Sequence, residues 1–221
     1  MHTLDILREY TEKLRPGNVS FLQIGANDGV SYDFANHVIH SSDRGIFVEP
    51  CRLPFEKLLQ NKKTYTNSVF CNFAIIPSNL PLLNTVTVLS EDEFQGGSSL
   101  FSNLPTQHRT INTESIQSVH LSTFLKEYNI KELDIFFCDT EGLDHVLVLE
   151  LINILTPKIL IFESFSWLKE SELILHNKTS VTVPSKEKVY DVLREKGYKI
   201  FDCMELCNDE NSIAVCKRLA Q

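Results

Sequence analysis

No stretch of these 221 residues approaches the roughly 20 consecutive apolar residues that a membrane-crossing helix requires. The opening MHTLDILREYTEKLRP lacks the apolar centre of a secretory signal and reads as an amphipathic helix. A soluble, cytoplasmic protein with no membrane partner is therefore expected. Positive charge is also scarce: 21 lysines and arginines stand against 29 acidic residues, for a net charge of −8 and a pI near 5.4. General nucleic-acid binders work by neutralising phosphates, so no nucleic-acid partner is expected. The six cysteines form no C-x-x-C pair, and Cys71, Cys138 and Cys216 sit in apolar runs where a free thiol serves as a small hydrophobe. No further ligand at zinc-site spacing accompanies Cys203 and Cys207, so no metal is expected.

The two common phosphate-binding signatures are missing as well. A dinucleotide fingerprint needs G-x-G-x-x-G, and a Walker loop needs Gly-Lys-Ser/Thr. This chain has only Gly25-x-x-x-Gly29, at the end of the apolar run in VSFLQIGANDG. Such a run, stopping at a glycine, reads as a buried strand feeding a tight turn, and an ordinary structural turn would look the same. Gly25 and Gly29 permit a close backbone approach by a ligand. A second apolar run, RGIFVEP, then ends in Glu49, 20 residues after Gly29. In a doubly wound sheet that is where a carboxylate accepts hydrogen bonds from two ribose hydroxyls. Strand, turn and acidic strand end together favour a nucleoside ligand without phosphates, which S-adenosylmethionine (SAM) fits.

The rest of the chain alternates strands with helices. A helix is predicted over 3–15, stopped by Pro16-Gly17, and another over 31–41, capped by Ser31. Strand 45–49 leads to a helix that opens near Pro54 and closes at Asn61-Lys62-Lys63, the lysines read as charges suited to a helix C-terminus. SVFCNFAII, 68–76, reads as one strand, and LLNTVTVLS, 82–90, as an edge hairpin partner outside the parallel order. Residues 91–115 form a long polar loop, read equally as a substrate lid or a plain excursion. A helix capped by Ser122 follows, then a strand running into the acidic turn DTEG, a helix over 143–155, a strand over 159–163, a helix capped by Ser185, and a terminal hairpin. This is a single α/β domain over 1–221, with a mostly parallel sheet and an antiparallel hairpin at the end.

QIGANDG (23–29), VEP (48–50), DTEGLDH (139–145) and the apolar strand ending in Glu163 resemble, in order and spacing, the successive motifs of the FkbM-type methyltransferases. The resemblance implies a class I methyltransferase fold, Rossmann-like, with a seven-stranded mostly parallel sheet. It implies SAM as cofactor, with Gln23, Gly25, Ala26, Asn27, Asp28 and Gly29 forming its loop, Glu49 on the ribose, and Asn72 and Ala74 near the adenine. Two departures are Gln23, where the family usually carries Asp, and Phe137, where many relatives carry Lys.

Methyl transfer to a hydroxyl needs an aligned acceptor oxygen and a group to take its proton. Asp139 and Glu141 follow the fourth strand, at the edge where open α/β sheets bind ligands, and Glu163 ends the neighbouring strand. Three carboxylates should therefore converge on one cleft, with Asp139 beside both cofactor and acceptor. Each has a plainer reading: a helix cap for Asp139, a first-turn charge for Glu141, a cap for Glu163. The activity expected is SAM-dependent O-methylation of a small-molecule or sugar (glycan) acceptor, in a chain that can form a homo-oligomer. A catalytically degenerate SAM-binding subunit is the alternative, and the missing third glycine disfavours a nicotinamide dehydrogenase.

Overall fold

The computed structural model describes residues 2–15, 17–31, 33–90, 99–100, 110–164, 171–175, 178–203 and 211–220. In chain order these form α1 (Thr3–Glu12), β1 (Ser20–Ile24), β2 (Arg44–Val48), α2 (Arg52–Asn61), β3 (Ser68–Cys71), β4 (Ala74–Ile76), β5 (Thr85–Ser90), β6 (Thr110–Ser115) and β7 (Ser118–His120). They continue with α3 (Leu121–Glu127), β8 (Ile135–Cys138), α4 (Asp144–Ile154), β9 (Ile159–Glu163), β10 (Ser171–Ile174), β11 (Ser180–Val183), α5 (Lys186–Glu195), β12 (Tyr198–Asp202) and β13 (Asn211–Cys216).

Seven strands make the central sheet, in the order β12-β13-β9-β8-β1-β2-β3. Five run parallel, and β13 is antiparallel to both neighbours, so the terminal hairpin closes one side. The order reverses between β1 and β8, and in open α/β sheets the carboxyl ends beside such a reversal are where ligands bind. Alternation along the strands feeds two cores. Phe21, Ile135, Phe137 and Ile161 pack on one face with Ile6, Leu7 and Tyr10 of α1, while Leu22, Phe136, Leu160 and Phe162 pack on the other with α3, α4 and α5. Each fully buried Phe contributes roughly 1.5–3 kcal/mol of hydrophobic stabilisation. The strands are therefore apolar on both faces, as a covered parallel sheet demands.

The structure departs from the sequence reading in five places, the first being that β10 and β11 pair antiparallel where the reading ran from the 159–163 strand through a loop to the helix capped by Ser185. The helix expected over 31–41 is a single 3-10 turn at Ala35–His37. Local side chains take its backbone donors instead: Asp28 accepts from the Val30 and Ser31 N–H groups, and Asp33 from that of Ala35. The single strand expected over 68–76 is two. At Asn72 the side-chain amide donates to the carbonyls of Glu49 and Pro50, the chain leaves the sheet edge, and β4 pairs in parallel with β7. The loop expected over 91–115 ends in a strand, because β6 completes the antiparallel partner that β5 was expected to have. Residues 91–98 and 101–109 of that loop lie outside the described residues. Finally, Ser122 sits inside α3, whose N-cap is His120, and its hydroxyl accepts from Ser78.

Candidate active site

β1 leaves the sheet at Gly25, whose φ of 79° lies in the region that favours glycine. The Gly25 and Ala26 N–H groups both donate to the Val48 carbonyl, at 2.9 and 3.0 Å, tying the turn to the end of β2. A Cβ on Gly25 would stand 1.6 Å from the Asp139 carbonyl oxygen, so this turn touches the end of β8 directly. Asn27 (φ 48°) and Gly29 (φ 74°) carry the loop round. Asp28 closes it from inside. Its carboxylate accepts from Val30 N, Ser31 N and Ser31 Oγ, and although burial raises its pKa, these bonds hold it below the usual carboxylate range.

Glu49 stands just beyond β2 and is 6% exposed. Its Oε2 accepts from Asn27 N and its Oε1 from Cys51 N, each at 2.8 Å, so one carboxylate joins the Gly25 loop to the start of α2. Burial pushes its pKa up to about 7 against the pull of those two N–H groups. An ionised carboxylate offers about four lone-pair sites; the two N–H groups and the Cys51 thiol take three, which leaves Glu49 room for a further donor. A glycine-lined turn and a buried acid at adjacent strand ends are a donor and acceptor set that fits a nucleoside.

The other residues assigned to this ligand lie differently. Gln23 is buried beneath the loop, and its Nε2 donates to Asp33 Oδ1 at 2.8 Å. Asn72 is exposed at the same strand-end edge, its amide spent on Glu49 and Pro50. Ala74 is 3% exposed and packs in the core around Ile75 and Phe124, with its N–H given to Gln117.

Asp139, Glu141 and Glu163 do come together: one carboxylate oxygen from each lies within 4.8 Å of the other two. Asp139 is open to solvent, yet crowded by Asp144, Glu141, Glu49 and Asp33. Burial against the surrounding chain, then those like charges, raises its pKa well above the usual range. Carboxylates packed this closely are discharged by a proton or by a hard cation on oxygen ligands. Asp139 does not cap α4, since the N-cap is Leu143. Glu141 lies outside the helix at φ 52°, and its carbonyl accepts from Ser99 Oγ.

Three side chains that shape the site escaped the sequence reading. Asp144 shapes the DTEG turn, accepting from Thr140 N, Thr140 Oγ1 and Gly142 N. Asp33 anchors Gln23, and Lys62, expected as a charge suited to a helix C-terminus, is 2% exposed beneath Gly29. A lone acid in a failed helix was the one available sign of Asp33. Nothing local marks Lys62 as buried.

The chain was compared with known proteins. In sequence, none of the curated proteins matches it. Among solved structures it is similar to a candidate rRNA methylase from Clostridium thermocellum (TM-score 0.50, 8% identity, covering 97% of this chain and 94% of that one). It is also similar to a candidate caffeoyl-CoA O-methyltransferase from Staphylococcus aureus (0.47, 14%, 97% and 82%) and to Aeropyrum pernix fibrillarin with natively bound S-adenosyl-L-methionine (0.46, 12%, 90% and 66%). At these identities the likeness concerns the fold. The family model described as the methyltransferase FkbM domain matches residues 23–200, from the end of β1 into β12, and so includes the Gly25 loop, Glu49 and all three converging carboxylates. The chain belongs to the FkbM methyltransferase domain family.

Proposed function

We propose that this methyltransferase transfers a methyl group from SAM to a hydroxyl oxygen of a small-molecule or sugar acceptor, with Asp139 taking the hydroxyl proton. The observation that carries this reading is the gathering of Asp139, Glu141 and Glu163 beside the Gly25 turn. SAM supplies an already activated methyl group. The chain's own residues have two tasks, to align an acceptor oxygen and to receive its proton. Alignment is worth up to roughly 7–11 kcal/mol in well-oriented systems, and a positioned base about 10²–10⁴-fold.

Gly25 to Gly29 and Glu49 hold the nucleoside side of the site. Asp139, whose pKa is raised well above the usual carboxylate range by desolvation and by its acidic neighbours, has a proton affinity suited to a base. Glu163 and Glu141 accept hydrogen bonds from further hydroxyls, which favours a polyhydroxylated acceptor over an apolar one. No described helix is long and apolar enough to cross a membrane.

The test is a screen for methyl transfer from isotopically labelled SAM to hydroxylated small molecules and sugars, followed by Asp139→Asn on the best acceptor. Turnover should fall by about 10²–10⁴-fold with SAM affinity nearly unchanged. Activity within a few-fold of wild type would remove Asp139 as the base. Turnover by the wild-type protein also excludes the binding-only alternative.

A further inference from the structure

Beneath the Gly25 loop lies a charged side chain with no place in the chemistry above. Lys62 is 2% exposed. Its Nζ donates to Asn36 Oδ1 at 2.9 Å, lies 3.6 Å from Asp33 Oδ2, and sits over the Tyr65 ring at 5.0 Å. Burying an ammonium–carboxylate pair is expensive, and a hydrophobic replacement of similar volume is often as stable or more so. The site needs a reason to keep it.

Its surroundings supply one. Segment 31–41 lacks the helix that would fix it, and Lys62 binds both Asp33 and Asn36 within it. Asp33 in turn holds the Gln23 amide at the end of β1 and the Ala35 N–H. The aliphatic stem of Lys62 is the floor under Gly29, where an added Cβ would come within 2.8 Å of Lys62 Cε and 2.6 Å of Leu58 Cδ1. Next to it, Asn61 Nδ2 donates to the Asp28 carbonyl at 2.9 Å. The last turn of α2 thus grips the loop from behind, at Asp28 and Gly29 and through Asp33.

We infer that Lys62, through its buried pair with Asp33, is a positioning residue that sets the shape of the SAM loop. It touches no ligand. It governs how much of the protein has the 25–29 backbone ready to receive SAM. The inference rests on the SAM-binding reading proposed above.

The experiment measures SAM dissociation constants by calorimetry at a temperature where every variant is folded by circular dichroism, with Tm recorded separately. Lys62→Met keeps the stem and removes the charge. If its loop is competent only about a tenth of the time, Kd rises about tenfold. The control is Lys186→Met, which breaks another largely buried pair, Lys186–Asp202 at 2.6 Å, between α5 and β12 and away from both the 25–29 loop and segment 31–41. It should lower Tm and leave Kd within about twofold, an effect below half a kcal/mol. The paired variant Asp33→Asn/Lys62→Met leaves no buried charge unpaired, so it should recover Tm while Kd stays raised. It also serves if Lys62→Met alone does not fold. Wild-type Kd in folded Lys62→Met or in the paired variant overturns the inference, as does an equal rise in Lys186→Met. Failure of the wild-type protein to bind SAM at all overturns the cofactor reading and this inference with it.

Discussion

If Glu49 holds the cofactor as proposed, SAM binding should depend on pH in a range where an ordinary glutamate would be silent. Its pKa stands at about 7 because burial disfavours the charge more than the Asn27 and Cys51 N–H groups favour it. Only the ionised form accepts on both oxygens, so ribose hydroxyls held by Glu49 would select that form. At pH 6 about one-eleventh of the ligand-free protein carries the charge and at pH 8 about ten-elevenths, so affinity should tighten roughly tenfold between them. Calorimetric titrations at pH 6, 7 and 8 measure this, and Glu49→Gln isolates it from any titration of Asp139 or of the ligand. The variant should bind about ten- to a hundredfold more weakly at pH 8, and its pH slope should lack the Glu49 contribution. Stability moves the opposite way. Glu49 ionises near 4.5 when unfolded and near 7 when folded, so between these values the folded chain binds more protons and loses stability as pH rises. The loss approaches about 3 kcal/mol above pH 7, and bound SAM offsets it. Equal pH slopes for wild type and Glu49→Gln would refute both the raised pKa and the ribose contact.

Three further outcomes follow from the same geometry. Because Asp139 does not cap α4, Asp139→Asn should leave Tm within a few degrees of wild type while removing turnover, as thermal unfolding and the labelled-methyl assay will read. Gly25→Ala should cost about 3 kcal/mol or more, since the added carbon meets the Asp139 carbonyl and the backbone is left-handed; urea unfolding at wild-type midpoint would contradict that close approach. Asp144→Ala strands donors of Thr140 and Gly142 and should cost roughly 1–3 kcal/mol. It also removes a charge that raises the Asp139 pKa, so the acidic limb of the pH–rate profile should move to lower pH, and an unmoved limb would deny the coupling.

The sequence by itself determined the sheet and where its ligand edge lies. Burial on both faces leaves a predominantly apolar signature in β1, β2, β8 and β9, broken in β1 by Gln23, and strand ends are marked by the residues that stop the run, Gly25, Glu49, Asp139 and Glu163. Those signals are local, so they survive without knowledge of neighbours. The terminal hairpin was legible for the same reason, from two β-rich runs around a polar turn. The tertiary structure alone decided what depends on partners far along the chain. Segment 31–41 has helical spacing, but Asp28, Asp33 and Lys62 hold it in another shape, and Lys62 comes from 26 residues beyond Asn36. β4 turns away because Asn72 finds Glu49 and Pro50, and β6 exists because β5 offers it an edge. That Asp139 is not the cap of α4 was also settled only in the folded turn, where Asp144 takes the donors of Thr140 and Gly142 and Gly25 brings β1 against the Asp139 carbonyl. Hydrophobic period is written in consecutive residues, whereas a buried polar bond is favourable only once its partner has been folded into reach.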